Sequence, residues 1–324
     1  MSQPLLEAID LGKRFTIGGL FARNRATLQA VDGVSLAVMP GETLGLVGES
    51  GCGKSTLGRC LVRLYEISSG RLRFEGKEIG DLGLRQLRPI RRRLQMVFQD
   101  PSSSLNPRRR VGDLIAEPLR VHGHATAAEI RGRGRELLEL VGLLPDHLER
   151  FPHEFSGGQR QRIGIARALA LEPALVVADE PVSALDVSIQ AQIVNLLADL
   201  QDRLGLTYVF IAHDLSVVRQ VSTRVAVMYL GSIVELGSAD EVLRGPAHPY
   251  TEALISAVPL AHAAGARRRR IVLQGDVPSP TAPPPGCRFH PRCRFAKERC
   301  REERPPLRTI APAREVACHF PLDG

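Results

Sequence analysis

The chain of 324 residues contains no apolar run approaching the ~18 residues that a membrane-crossing helix needs. Its start, Met1-Ser2-Gln3-Pro4-Leu5, has neither a basic n-region nor an apolar h-region, so no signal peptide is expected. Both absences predict a protein made and kept in the cytoplasm, with any membrane spans supplied by other chains. There is no internal repeat. Little net charge lies outside the C-terminal part. The formal total is +8, and residues 265–324, with 13 Arg and Lys against 6 Asp and Glu, carry +7 of it. Such a basic tail reads either as a solvated surface or as one that meets nucleic acid or anionic lipid head groups. Its densest run, Arg267-Arg268-Arg269-Arg270, reads as a linker. Cysteines number six. Cys52 and Cys60 are expected to stay free thiols, since a disulfide framework is not expected in a reducing cytosol.

What the chain does have is a phosphate loop. Gly48-Glu49-Ser50-Gly51-Cys52-Gly53-Lys54-Ser55-Thr56 fits G-x-x-x-x-G-K-[ST]. Glycines at 48, 51 and 53 let the backbone curl so that several N–H groups point inward as an anion nest. Lys54 can reach the β- and γ-phosphates, and the Ser55 hydroxyl can ligate Mg²⁺. The apolar stretch 43–47 predicts a strand before the loop. Ser55 to Leu61 predicts a helix after it, whose N-terminus adds its dipole to the phosphate site.

A second apolar run, Ala174 to Ala178, predicts a central parallel strand buried on both faces. It ends in Asp179-Glu180. An aspartate there can hold Mg²⁺, and a neighbouring glutamate can orient and polarise an attacking water. Taken alone, the pair reads equally well as two solvated acids at a strand end. Ser156-Gly157-Gly158-Gln159 runs into a helix through Leu169, which reads as an anion-binding helix start or as a plain Ser N-cap.

In this order and spacing, Phe155-Ser156-Gly157-Gly158-Gln159-Arg160-Gln161-Arg162 followed by a strand ending in Asp-Glu resembles the signature of ATP-binding-cassette (ABC) ATPases. Phe155 replaces the commoner leucine, a change of apolar type. The resemblance implies an α/β P-loop cassette: a RecA-like core, an antiparallel β flap and a helical subdomain. It implies roles for further residues. Gln99 matches the Q-loop glutamine that approaches Mg²⁺ and senses the membrane partner. Ser183-Ala184-Leu185-Asp186 matches the D-loop, and His213 the switch histidine at the γ-phosphate. Phe15 is the candidate for stacking on adenine. Catalytic roles fall to Glu180, His213 and Gln99, and Mg²⁺ to Ser55, Gln99 and Asp179. ATP is held by Gly48, Ser50, Gly51, Cys52, Gly53, Lys54, Ser55 and Thr56, with Ser156, Gly157, Gly158 and Gln159 of a second cassette closing over the γ-phosphate.

The cassette is expected over residues 1–246, with its helical subdomain at about 99–162 and a polar insert at 18–25 interrupting the flap. Residues 189, 193, 196, 197, 200 and 204 fall at helical spacing as a core stripe closed by Gly205. Val34-Ser35-Leu36-Ala37-Val38 alternates as a flap strand, and Thr207 to Ala212 reads as a buried strand. Residues 247–324 form the extension. His248-Pro249-Tyr250-Thr251-Glu252-Ala253-Leu254 is similar to the C-terminal region of oligopeptide, dipeptide and nickel importer ATPases. The resemblance is to the second ATPase of importers that use two different ones. It implies as partners a second ABC ATPase subunit, two transmembrane permease subunits and an extracytoplasmic solute-binding protein, with the chain peripheral on the cytoplasmic face. Specific nucleic-acid binding is not expected.

Cys287, Cys293, Cys300 and Cys318 lie in the extension, without the C-x₂-C knuckle usual for zinc. Four thiolates can hold a [4Fe–4S] cluster or a structural Zn²⁺, or can remain unliganded. Related importer ATPases carry four such cysteines, which favours the cluster. Three other functions stay open at this point: import of nickel or another small solute, a soluble ABC ATPase acting on DNA or the ribosome, and a redox- or iron-sensing subunit.

Overall fold

The structure is a computed structural model that describes residues 3–17, 26–123, 126–257 and 271–323. The polar insert at 18–25 and the arginine run at 267–270 lie outside the described residues. The chain divides into two compact units, Met1–Val38 with Thr43–Asp81 and Ala212–Gly324, and Met39–Glu42 with Leu82–Ile211.

In the first unit, strands β1 (Leu6–Ile17), β2 (Ala26–Val38), β4 (Ser69–Phe74) and β5 (Lys77–Glu78) form an antiparallel sheet in the order β2-β1-β4-β5. Leu6 pairs with Val38 on one side and with Phe74 on the other. Val34, Leu36 and Val38 are buried and Ser35 and Ala37 half-buried, the alternation expected where one sheet face is covered. The same unit holds β3 (Thr43–Val47), whose five residues are all buried. It runs parallel to β9 (Arg224–Tyr229), which pairs antiparallel with β10 (Ser232–Ser238).

The C-terminal residues continue that sheet. β12 (Arg314–Val316) pairs with β10, and β11 (Arg308–Ala311) with β12, so the tail covers an edge that would otherwise present unpaired N–H and C=O groups. A buried carboxylate fixes where the tail begins. Glu235, on β10, accepts from the N–H groups of Ala247 and His248, both at 2.9 Å, and from the Arg314 guanidinium at 2.8 Å. A charge without solvent persists only with such a full set of partners. Rings then seat the tail. Tyr229 of β9 lies 4.7 Å from Tyr250 and 5.2 Å from Phe289, centroid to centroid.

In the second unit, β6 (Leu94–Val97), β7 (Leu175–Asp179) and β8 (Thr207–Ala212) run parallel in that order. Every residue of β7 and β8 is buried, which explains their unbroken apolar reading. Helices Val111–Val121, Ala127–Leu140 and Gly157–Leu169 pack on one another, and Leu114, Ile115, Leu137, Leu138 and Ile163 are among their buried residues. Thr126 starts the second of these with a capping box to Glu129. Helix Val187–Leu204 ends at Gly205, whose φ of 65° is the left-handed conformation that glycine adopts without strain. Its buried stripe is Ile193, Val194, Leu197 and Leu200. Leu204, expected in the stripe, is 47% exposed, because it belongs to the final turn where the helix runs out into Gly205.

Candidate functional site

The phosphate loop leaves β3 and enters helix Lys54–Leu61. Two of its glycines have no substitute. A Cβ at Gly53 (φ 105°) would lie 2.1 Å from the Ala30 carbonyl oxygen, and one at Gly48 2.2 Å from that of Met228. The close approach of neighbouring backbone is what lets the loop curl. Gly53 caps the helix without a side chain, so no side-chain oxygen competes for the first N–H groups, which suits an anion there. Lys54 is buried at 4% exposure. Its ammonium donates to the carbonyls of Gly48 (2.8 Å) and Glu49 (3.1 Å), tying both sides of the loop together. Cys52 is buried inside the curl, and burial pushes its thiol pKa up, so it is a packing residue rather than a nucleophile. Ser50 and Gly51 are exposed at the tip, with Ser55 and Thr56 half-buried on the first helical turn. Phe15, on β1, is half-buried. It meets Tyr65 edge-on at 5.6 Å, with the Lys13 ammonium 4.9 Å from its ring centroid. His213 is exposed on the bend before helix Leu215–Val221, whose N-cap Asp214 accepts from the Ser216 N–H at 2.8 Å.

In the second unit, Asp179 closes β7 at 1% exposure, and Glu180 follows with φ 46°. A non-glycine residue there is strained by roughly 1–2 kcal/mol, a cost found most often where function needs one particular side-chain direction. The Glu180 N–H donates to Ile211 at 3.0 Å, and the carboxylate accepts from the Gln99 amide at 2.8 Å. The structure therefore joins two residues to which the resemblance gave separate roles. The turn at 183–186 is tied back by the Ser183 hydroxyl, which donates to the Glu180 carbonyl at 3.1 Å. Gln190 pins the same turn by donating to the carbonyls of Val182 and Leu185, at 3.0 and 2.9 Å. Gln190 escaped the sequence reading, since a helical glutamine has no spacing signal. Tyr65, the partner of Phe15, escaped it because that ring contact joins distant parts of the chain and leaves no periodicity.

Ser156 and Gln159 form a reciprocal cap. The Gln159 N–H donates to the serine hydroxyl at 3.3 Å, and the Ser156 N–H to the glutamine side chain at 3.0 Å. Gly158 faces Ile189, where a Cβ would meet Cγ2 at 2.6 Å. The Ser-Gly-Gly-Gln segment is thus a helix start in its own right, and its exposed Ser156 keeps that start at the surface.

Cys287, Cys293, Cys300 and Cys318 all line one small pocket, with His290, His319 and the rings of Phe289, Phe295 and Phe320. The thiols are free. Burial pushes Cys287 and Cys318 up to about 11 and raises Cys293, so at neutral pH they are thiols rather than thiolates. The expected metal centre finds no support in this geometry. Among the described residues, no group of three His, Cys, Asp or Glu is placed to hold a metal ion. Zinc would need its ligands at about 2.0–2.3 Å from one point. The donor set suits a metal in its chemistry, but the structure gives it no ready coordination geometry.

Comparison with known proteins follows the two regions. The ABC transporter family profile matches residues 31–183, and that of the oligopeptide/dipeptide transporter C-terminal region matches 234–300. The dimeric post-hydrolysis structure of the ATP-binding cassette MJ0796, bound to ADP and Pi, superposes with a TM-score of 0.65 at 29% identity, covering 72% of this chain and 98% of that one. An ABC cassette is therefore the class of fold. Oligopeptide transport ATP-binding protein AppF of Bacillus subtilis (strain 168) is 54% identical over 321 residues, 98% of each chain. Oligopeptide transport ATP-binding protein OppF of Haemophilus influenzae (strain ATCC 51907 / DSM 11121 / KW20 / Rd) is 51% identical over 97% of this chain and 96% of its own. The chain belongs to the ABC transporter family of ATPases, in the branch that carries the oligopeptide/dipeptide C-terminal region. Among the described residues no helix is long and apolar enough to cross a membrane.

Proposed function

We propose that the chain is the ATP-binding and ATP-hydrolysing subunit of an importer for di- and oligopeptides, peripheral on the cytoplasmic face of the membrane. The observation that carries the reading is near full-length likeness to oligopeptide transport ATP-binding proteins, with the phosphate loop and the peptide-transporter tail in one chain. The partners are two transmembrane permease subunits, a second ABC ATPase and an extracytoplasmic solute-binding protein.

Lys54 and the loop N–H groups hold the phosphates, and Phe15 stacks on the base. Ser55, Gln99 and Asp179 would hold Mg²⁺, which would supply neutralisation of the phosphate charge. Glu180 orients the attacking water and takes up its proton as the oxygen adds to the γ-phosphorus and the bond from that phosphorus to the bridging β–γ oxygen breaks, so that ADP leaves with the bond's electron pair and inorganic phosphate forms. His213 contacts the γ-phosphate. Ser156, Gly157, Gly158 and Gln159 close over the nucleotide held by the partner cassette. ATP binds the closed pair better than the open one and so shifts the population to closed. Hydrolysis releases it, and Gln99 with the helices at 99–162 passes the motion to the permeases.

Uptake of labelled di- and oligopeptides by cells carrying Glu180→Gln in place of the native chain tests this reading. Lost uptake, with the variant expressed, supports both the transport role and the peptide class. Retained uptake, with no second ATPase compensating, moves the substrate to nickel or another solute and reopens a non-transport role.

A finer reading concerns the tail. The resemblance to importer ATPases with four such cysteines is what supports a [4Fe–4S] cluster on Cys287, Cys293, Cys300 and Cys318, with Zn²⁺ as the alternative; the thiols line one pocket but would have to be drawn to a common centre to bind either. Iron and labile sulfide in anaerobically purified protein would support the cluster. Absence of both removes it.

A further inference from the structure

The tail holds the phosphate loop twice at Glu49. The Glu49 N–H donates to the Tyr250 hydroxyl at 2.8 Å. Its carboxylate takes both arms of the Arg292 guanidinium, at 2.7 and 3.1 Å. The arginine side chain is only 7% exposed and lies over the Tyr229 ring, 6.0 Å from its centroid. A planar fork meeting a carboxylate in two parallel bonds fixes orientation as well as distance. The third polar group of Glu49, its carbonyl, accepts from Lys54. Every hydrogen-bonding group of this loop residue is therefore committed, two to the tail and one to the phosphate-binding lysine.

Arg292 ends the short turn His290–Arg292, and Cys293 follows it into the four-thiol pocket. The Cys287 carbonyl accepts from the His290 N–H at 3.0 Å, so the turn that aims Arg292 is built on the cysteine segment itself.

We propose that Arg292 and Tyr250 are positioning residues for the phosphate loop, so that the C-terminal tail sets the affinity of the cassette for ATP through Glu49. The proposal rests on the reading of residues 48–56 as the ATP loop. It gives the extension a function in the ATPase cycle of its own chain. Any change in how the four-thiol pocket is packed reaches the nucleotide through Arg292.

The test is the Kd for ATP with Mg²⁺, measured on the full chain, together with kcat and KM in the assembled transporter. Arg292→Ala and Glu49→Gln should each weaken binding on the order of tenfold, the loss of a charge-assisted pair. Their combination should be no weaker than the worse single change, because both remove the same bond. Arg292→Lys should restore part of the affinity, and KM for ATP should rise more than kcat falls. A tail that only helped the chain fold would lower kcat and stability together and show no such rescue. Affinity within twofold of native for both single changes overturns the proposal, and so does a multiplicative double. If Arg292→Ala does not fold, Glu49→Gln and Tyr250→Phe decide: native affinity in both overturns it. A native chain that binds no ATP overturns the ATP-loop reading instead, which the same titration reveals first.

Discussion

The phosphate loop and the Glu180 segment are secured in opposite ways. The loop is gripped from far along the chain, by Tyr250 and Arg292, 201 and 243 positions from Glu49. It is further closed by backbone contacts that tolerate no Cβ at Gly48 or Gly53. The Glu180 segment and the Ser156 cap rely largely on bonds three residues long, Ser183 to Glu180 and Ser156 to Gln159; at Glu180 longer reaches come from its N–H to Ile211 and from an exposed Gln99. A feature over-determined by distant parts of a fold resists local opening, whereas one resting on short, exposed bonds exchanges partners cheaply. The difference matches the tasks assigned to them: a cradle of constant shape, and groups that re-pair as hydrolysis proceeds.

The sharpest attack on the loop is Lys54→Ala. ATP binding should weaken on the order of 100-fold and turnover of the assembled complex should vanish, since positioning and charge do most of the work in phosphoryl transfer. Normal ATPase activity would break the assignment. Gly53→Ala comes next. Its Cβ meets a backbone oxygen, so denaturant unfolding should show a loss of about 2–4 kcal/mol, together with impaired nucleotide binding.

The long-range grip has its own weak point in His248. The ring is buried, its Nδ1 accepts from the Tyr250 N–H at 3.0 Å, and burial pushes its pKa down to about 3 from 6.5. The unfolded chain thus binds a proton that the folded chain refuses. Stability is full above pH 6.5 and is lost as the pH falls from there towards 3, by up to about 1.4 kcal/mol per pH unit. His248→Asn keeps a capping acceptor and should flatten that slope, read from denaturant midpoints at neutral and mildly acid pH. Equal slopes would detach His248 from the tail's acid sensitivity.

The smallest effect is expected in the locally held region. Ser156→Ala should cost about 1 kcal/mol, the usual worth of a helix cap, in thermal unfolding. A much larger loss would mean that the segment is anchored more firmly than its bonds show.

The sequence reading carried the phosphate loop, because glycine spacing reports backbone geometry directly, and β7 and β8, because a parallel strand buried on both faces must be apolar throughout. It carried Gly205 as a helix end and the Ser156 cap as well. Long-range pairing was out of reach. Nothing in the sequence ties Arg292 to Glu49, or aligns β12 with β10, since such bonds arise from the fold and leave no periodicity. Composition placed Arg292 in a basic tail and suggested solvent or a polyanion for it. The structure buries it against an acid of its own chain. The four cysteines were legible as a cluster in sequence and do share a pocket, yet spacing alone could not supply a coordination geometry.

The backbone at Glu180 has a further consequence. Its φ of 46° is a conformation in which glycine would sit at ease. Replacing Glu180 by glycine would relax the chain at that point and remove the carboxylate to which the proposed mechanism gives the attacking water. Durability and activity therefore ask for different residues at position 180, and the protein accepts a slightly less durable fold to keep a working one.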